Sequence, residues 1–215
     1  MRKSYFLNVK GCTMNEFDSL WGWVGGNNIR IIQNKEELRW LWKKVAERRP
    51  SSLLEIGSFQ GGTLYILAHA CRPQAKIVAV NCGNEDDQKV LRKVVGRLSG
   101  EGYRVDLIEG RSEEVVDKVK ELSFRVGAFI IDGDHSYEGV SSDFMLYRDL
   151  VAENGIVAFH DIGSWPGVMK FWNELKQKYD TEEIIVPAVF MGIGMVDLSK
   201  EKDVFHVSGG NRRPK

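Results

Sequence analysis

Leu53-Leu54-Glu55-Ile56-Gly57-Ser58-Phe59-Gln60-Gly61-Gly62-Thr63 is the stretch whose reading decides the fold of this chain. Its first half is a short apolar run carrying one acid, the pattern of a strand covered on both faces. Its second half is rich in glycine and leads into Thr63 to Cys71, which has the character of a helix. A strand that ends in a glycine turn and enters a helix opens a βαβ unit. In an open α/β sheet that first turn faces the crevice where ligands bind. Glycine lets a ligand come close to the backbone, and a helix start offers free N–H groups.

The same alternation continues downstream. Lys76 to Val80, Val105 to Ile108, Val126 to Ile131 and Gly155 to Phe159 read as further strands. Glu85 to Leu98, Glu113 to Leu122, Gly139 to Leu150 and Val168 to Tyr179 read as the helices after them. Strands alternating with helices imply parallel pairing with helices on both faces. The last two strand-like runs, Ile184 to Val186 and Phe190 to Asp197, have no helix between them and bend near Pro187. They should pair antiparallel. The expectation is an α/β, Rossmann-like, seven-stranded and mostly parallel sheet that closes with an antiparallel hairpin.

Upstream, residues 1–50 form a small N-terminal helical cap to the main domain at 51–200, and 201–215 is a polar tail. Asn34 with Glu37 three positions on is a variant capping box, and Leu38, Leu41, Trp42 and Val45 then recur at helical spacing. Four of the six tryptophans lie in the first 42 residues. They fill the cap, unless Trp21 or Trp23 lies over a substrate as part of a lid.

Composition narrows the function classes. Thirty basic and thirty acidic residues cancel to a net charge of zero, and hydrophobic residues are 43% of the chain. That is globular rather than disordered, and no excess of Lys and Arg is available to neutralise a nucleic-acid backbone. The longest charge-free apolar stretch, Ile184 to Val196, is too short to span a membrane and is interrupted by Pro187, Gly192 and Gly194. Met1-Arg2-Lys3 is basic, but only Tyr5-Phe6-Leu7 follows before Lys10, so a signal peptide is not expected. Cys12, Cys71 and Cys82 show no C-x-x-C spacing and read as reduced thiols of a cytoplasmic protein.

The turn itself excludes two common ligand classes. Counted from Gly57, a G-x-G-x-x-G fingerprint would need glycine where Phe59 stands, which argues against a dinucleotide. There is no G-x-x-x-x-G-K-[ST] either. At these residues the sequence resembles a known family. E-x-G-x-x-x-G after the first strand is similar to motif I of the class I S-adenosylmethionine-dependent methyltransferases, over about residues 50 to 198. Ile131-Asp132-Gly133-Asp134-His135-Ser136-Tyr137 and Gly155-Ile156-Val157-Ala158-Phe159-His160-Asp161 resemble more narrowly a small-molecule O-methyltransferase branch. That branch includes metal-dependent sugar and macrolide methyltransferases and cephalosporin hydroxylase-like proteins.

The resemblance implies roles. Glu55 and Gly57 would lie against the methionine and ribose part of S-adenosylmethionine, with Ser58, Gly61, Gly62 and Thr63 lining the turn. Gly110 and Ser112 would lie near the adenine. The second strand of such proteins usually ends in an acid that bonds both ribose hydroxyls; here Val80 is followed by Asn81, whose neutral amide has one acceptor oxygen.

Asp132, His160 and Asp161 stand at the ends of the fourth and fifth strands, which lie about 4.8 Å apart if adjacent. Neighbouring carboxylates repel, and a divalent cation relieves that repulsion. Ligands in the metal-dependent relatives come from these strand ends, which makes Asp132, His160 and Asp161 the candidate metal ligands and Asp132 also a candidate cofactor contact. Imidazole suits Mn²⁺ better than Mg²⁺, so either the ion is not strictly Mg²⁺ or His160 sits behind the ligands. His135, with its ordinary pKa near 6.5, is the candidate base, with Asp134 as its rival or its orienting partner. His69 reads as structural and His206 as a surface residue. Ser164, Trp165 and the pair Tyr137-Glu138 are candidate substrate contacts.

These residues point to metal-assisted O-methylation of a small hydroxylated molecule, sugar-like or natural-product-like. The alternative is a catalytically weak or inactive cofactor- or sugar-binding module of the same fold. Nucleic acid and membrane are not expected partners, and homo-oligomerisation is left open.

Overall fold

The computed structural model describes residues 14–187 and 189–201. Cys12, His206 and most of the polar tail lie outside them.

The main domain opens with β1 (Ser52–Ile56), α3 (Gly62–Ala68), β2 (Lys76–Asn81), α4 (Glu85–Gly100) and β3 (Arg104–Glu109). It continues with α5 (Ser112–Glu121), β4 (Val126–Ile131), α6 (Tyr137–Tyr147) and β5 (Val151–His160). It ends with α7 (Pro166–Lys178), β6 (Tyr179–Ile184) and β7 (Ile193–Glu201), and is preceded by α1 (Met14–Gly26) and α2 (Lys35–Arg48). One seven-stranded sheet has the order β3-β2-β1-β4-β5-β7-β6. The first five strands pair parallel, whereas β7 pairs antiparallel with both β5 and β6. The expected α/β architecture is the one the chain adopts.

Successive strands are added outward on one side from β1 to β3 and on the other side from β4 to β5, which leaves a crevice beyond the carboxyl ends of the parallel neighbours β1 and β4. Ile56 of β1 is level with Ile131 of β4, which is level with Phe159 of β5. The next residue on each strand is therefore Gly57, Asp132 and His160, three neighbours in one row at the sheet edge. That register alone brings residues about a hundred positions apart into one site.

Each face of the sheet has its own core. Phe17, Leu38, Trp42, Leu64 and Leu91 cover one face from the first four helices. Val116, Phe144, Phe171 and Trp172 cover the other from the last three. The cap is thus part of the first core. Trp23 stacks on Tyr65 of α3 at 4.0 Å, and Trp21 stacks on Phe17. Trp23 thus joins the cap to the domain, whereas Trp21 packs within the cap. His69 is structural as expected, with Nδ1 2.8 Å from the Tyr65 carbonyl and Nε2 3.2 Å from Glu101.

The closing hairpin departs from expectation in its bounds. Its first strand is Tyr179–Ile184 rather than Ile184 to Val186, and the helix before it stops at Lys178. Tyr-Asp-Thr-Glu-Glu-Ile carries no apolar run because β6 is the sheet's outer strand, with one face in water. Asn34 caps α2 as read, its side chain accepting from Glu36 N and Glu37 N. Glu37 does not reach back to complete the box. Fully buried, it accepts from Val186 N at 2.8 Å and Gly192 N at 3.1 Å, tying down the β6–β7 connection.

Candidate active site

Gly57 turns out of β1 with φ +85°, a conformation that glycine takes without a Cβ penalty. Any Cβ there would overlap the Asp132 carbonyl. Phe59 also lies in the left-handed region, at φ 48°, and its N–H donates to Asn81 Oδ1 at 2.9 Å. Asn81 thus commits one lone pair of Oδ1 to the turn, and its Nδ2 is buried without a partner. Two other groups of the turn are buried and unpartnered: Glu55 Oε2 and Ser58 Oγ. Burial pushes Glu55 up to about 8. Gly62 faces the segment that joins the first two helices, where a Cβ would overlap Ile31.

Beside the turn, two carboxylates and two imidazoles converge. His160 Nδ1 lies 3.1 Å from Asp132 Oδ1 and 3.2 Å from Asp161 Oδ2. His135 Nε2 lies 3.4 Å and 3.1 Å from the same two oxygens. Asp132, His135 and Asp161 each offer a ligand atom within 4.8 Å of the others, so the trio with ligand spacing holds His135 where His160 was expected, and His160 Nδ1 lies against the same two carboxylates from its buried side. Asp161 adopts φ 62°, so its carboxylate turns back to the row instead of continuing the strand. Its Oδ1 accepts from Ser164 Oγ at 2.6 Å.

Electrostatics follow from this geometry. Burial alone would lower the pKa of His160; the Asp132 and Asp161 carboxylates override it and push it up to about 10. His135 is raised by its contact with Asp132. Burial would raise Asp132 and Asp161, but the imidazoles hold both below the usual carboxylate range. The network is a set of opposite charges that neutralise one another in a partly dry site.

The turn and the cluster line a single cavity of about 600 Å³, open mouth included. Gly57, Ser58, Phe59, Gly62 and Thr63 form one wall, and Asp132, His135, His160 and Asp161 form another. The third is Arg30, Ile31, Ile32 and Gln33. No motif marks that third wall. Within it, Gln33 bridges Thr63 Oγ1, at 2.6 Å, and Asp132 Oδ2, contacts of 30 and 99 residues' separation.

Several expected residues stand outside this cavity. Gly61 packs behind the turn against Leu91 and Val94. Ser112 donates to Asp143 Oδ1, and its carbonyl accepts from Tyr147 Oη at 2.6 Å. Gly110 has φ +150° and packs on Val115. Asp134 is exposed and accepts from Ser136 N at 2.8 Å, leading into α6. Tyr137 Oη donates to Glu174, on α7. Trp165, half-exposed, stacks on His135 with ring centres 5.0 Å apart.

Among the described residues, no helix is long and apolar enough to cross a membrane. Cys71 is buried and free, and Cys82 is exposed and free. Burial pushes the Cys71 thiol up to about 12.

Residues 54–162 match a family model described as a methyltransferase domain. An uncharacterized protein of Acanthamoeba polyphaga mimivirus is 27% identical over 138 residues, which cover 60% of this chain and 61% of that one. Catechol O-methyltransferase of Sus scrofa is 26% identical over 128 residues, 59% of this chain and 68% of that one. The matched stretch thus spans about two thirds or less of the length of these curated relatives. Among solved structures, an O-methyltransferase of Bacillus cereus in complex with SAH superposes with a TM-score of 0.67 at 13% identity, covering 87% of this chain and 92% of that one.

Proposed function

The chain belongs to the methyltransferase-domain family, and we propose that it transfers a methyl group from S-adenosylmethionine to a hydroxyl of a small molecule with the help of a divalent cation, Mg²⁺ or Mn²⁺. The observation that carries the reading is one cavity walled by a glycine turn on one side and by two carboxylates with two imidazoles on the other. When bound, S-adenosylmethionine supplies the electrophilic methyl carbon, and the cation lowers the pKa of the acceptor hydroxyl.

The residues fit both groups. Glu55 Oε2 and Asn81 Nδ2 are a buried acceptor and a buried donor with nothing to bond, on the two strands that flank the turn. Leaving such atoms unsatisfied costs about 1–3 kcal/mol each, and a ligand with an ammonium and a ribose relieves it. Glu55, Gly57, Ser58, Gly62 and Thr63 hold the amino-acid end, with Gly61 shaping the turn from behind. Asn81, Gly110 and Ser112 back the adenosine end from outside the cavity's lining. Asp132, His160 and Asp161 hold the cation; two carboxylates with one imidazole suit Mn²⁺ at least as well as Mg²⁺.

His135 is the proton acceptor. It is the more exposed of the two imidazoles, with 30% of its side chain in solvent against 3% for His160, so it can meet a substrate. Asp134 takes no part in that step, since it is turned to Ser136 N. The exposed faces of Ile32 and Trp165 seat the hydrocarbon part of the acceptor. The protein works in the cytoplasm, where its thiols stay reduced.

Thermal-shift titration with S-adenosylmethionine, S-adenosylhomocysteine and NAD, each with and without Mg²⁺ or Mn²⁺, tests the assignment. Stabilisation by the two sulfur compounds and not by NAD is expected, and its absence at millimolar concentration ends the reading. His135→Ala should abolish turnover while keeping Mn²⁺ affinity, and His160→Ala should lose that affinity. The reverse pattern would exchange the two roles, since His135 also has ligand distance to both carboxylates. One observation favours a cofactor-binding module with weak catalysis: Asn81 offers the ribose diol one neutral acceptor oxygen, already bonded to Phe59 N, where an acid would offer two oxygens. Cofactor stabilisation without methyl transfer to a broad panel of hydroxylated acceptors would select that module.

A further inference from the structure

We propose that Gln33 is a positioning residue that couples the two halves of the cavity, so that a ligand on the glycine turn strengthens cation binding and the reverse. The inference rests on the proposed function, since it needs both ligands. It concerns a residue of the cap, outside every motif that marks the turn or the cluster.

One planar amide is bonded at both ends. Oε1 accepts from Thr63 Oγ1 at 2.6 Å, and Nε2 donates to Asp132 Oδ2. Thr63 belongs to the turn wall of the cavity and Asp132 to the cluster wall. An aspartate carboxylate rotates in a broad, two-fold well about its last torsion. A donor on Oδ2 holds that rotation and leaves Oδ1 toward His135 and His160, the side on which a cation would lie. Gln33 thus determines how Asp132 presents itself.

The segment carrying Gln33 is in turn seated on the glycine turn. Ile31 packs where a Cβ of Gly62 would stand. Arg30 N donates to Gln60 Oε1 at 2.8 Å, and Gln60 Nε2 donates to Asp87 Oδ1 at 2.6 Å. The Arg30 guanidinium lies 4.8 Å from the centre of the Phe59 ring. A ligand resting on Gly57 to Thr63 restrains these contacts and, through Thr63, the Gln33 amide. Asp132 is then oriented before the cation arrives. Coupling between binding equilibria is reciprocal, so the cation tightens the ligand by the same factor.

Isothermal titration calorimetry reads this directly. Mn²⁺ is titrated into the full chain with and without saturating S-adenosylhomocysteine, and S-adenosylhomocysteine with and without Mn²⁺. The neutral thioether is used because a sulfonium would add its own repulsion to the cation. Wild type should show about tenfold coupling in both directions, inside the usual range for linked sites. Gln33→Leu, which keeps the bulk and loses both bonds, should bring the ratio to about one while each ligand alone binds within a few-fold of wild type. Gln33→Glu keeps an acceptor for Thr63 but sets an anion against Asp132; it should keep S-adenosylhomocysteine affinity and lose the coupling. The Mn²⁺ electron paramagnetic resonance spectrum should respond to S-adenosylhomocysteine in wild type and not in Gln33→Leu. A strap that only holds the cap would lower the melting temperature and leave the ratio and the spectral response intact, and that result overturns the proposal. Wild type binding both ligands with a ratio of one also overturns it and leaves the proposed function standing. Binding of neither ligand refutes the proposed function itself.

Discussion

Around the glycine turn, at the ends of β1 and β2, Glu55 Oε2, Ser58 Oγ and Asn81 Nδ2 are buried without a hydrogen-bond partner, and of the three only Ser58 belongs to a residue that lines the cavity. At the β4–β5 end, all four oxygens of Asp132 and Asp161 face a donor: Gln33, Ser164 or the two imidazoles. The one unpartnered atom there, among the described residues, is His160 Nε2. The difference separates two kinds of site. An end with orphaned polar atoms gains hydrogen bonds when a ligand arrives and has none of its own to break. An end that is satisfied internally must exchange existing contacts, so a cation there competes with protons on His135 and His160.

His160→Ala should break the contrast most severely. It removes the inner positive partner and leaves His135 as the one imidazole between the two carboxylates, at a cost of about 3 kcal/mol in urea unfolding. If the loss is below about 1 kcal/mol, the cluster is not held together by charge. Gly57→Ala should cost about 3 kcal/mol, because a Cβ meets the Asp132 carbonyl and the backbone must leave φ +85°. Both ends should suffer at once, since the overlap pushes β1 away from β4. Retained Mn²⁺ affinity alongside lost S-adenosylhomocysteine binding would show instead that the ends deform independently.

The pH response of the cation-free chain sharpens the comparison further. His160 rises from 6.5 to about 10 on folding, so its stabilisation is complete below about pH 6.5 and is lost as pH climbs toward 10. Asp132 and Asp161 are shifted down from 3.8, so theirs is present above that value and is lost on further acidification. Urea midpoints should therefore fall between pH 7 and pH 10 in wild type, and fall less in His160→Ala. Glu55, raised from 4.5 to about 8, adds an earlier loss, because its burial opposes the charged form and its contribution falls as pH climbs from about 4.5 to about 8. Glu55→Gln should remove that part of the slope and leave the His160 part. The smallest effect is expected at Asn81→Asp, which keeps an acceptor for Phe59 N and adds a second. S-adenosylhomocysteine should bind about five- to tenfold more tightly by calorimetry, equivalent to about one hydrogen bond.

Much of the architecture was legible in the chain. The parallel strands are continuous apolar runs because both of their faces are covered, and the glycine turn stands where the backbone must take φ +85°. Asp132, His160 and Asp161 could be listed together because they end two strands that the alternation predicts. Edge strand β6 was misplaced, since half of it faces water and no apolar period marks it. Glu37 read as part of a cap, yet its carboxylate binds backbone N–H groups about 150 residues away. Gln33 carried no signal at all, for a single amide in a loop has no periodicity.

The sequence by itself determined the fold class, the ligand-facing turn and the set of acids and imidazoles near it, because these follow from local patterns of apolar residues, glycine and strand ends. Only the tertiary structure decided which side chains complete the cavity. It put His135 and His160 between the same two carboxylates, turned Asp134 out toward Ser136, committed the acceptor of Asn81 to Phe59 and brought Gln33 to Asp132. The reason is register. A row of residues across β1, β4 and β5 is set by pairing between distant segments, and no local pattern in the chain records which atoms then come within 3 Å.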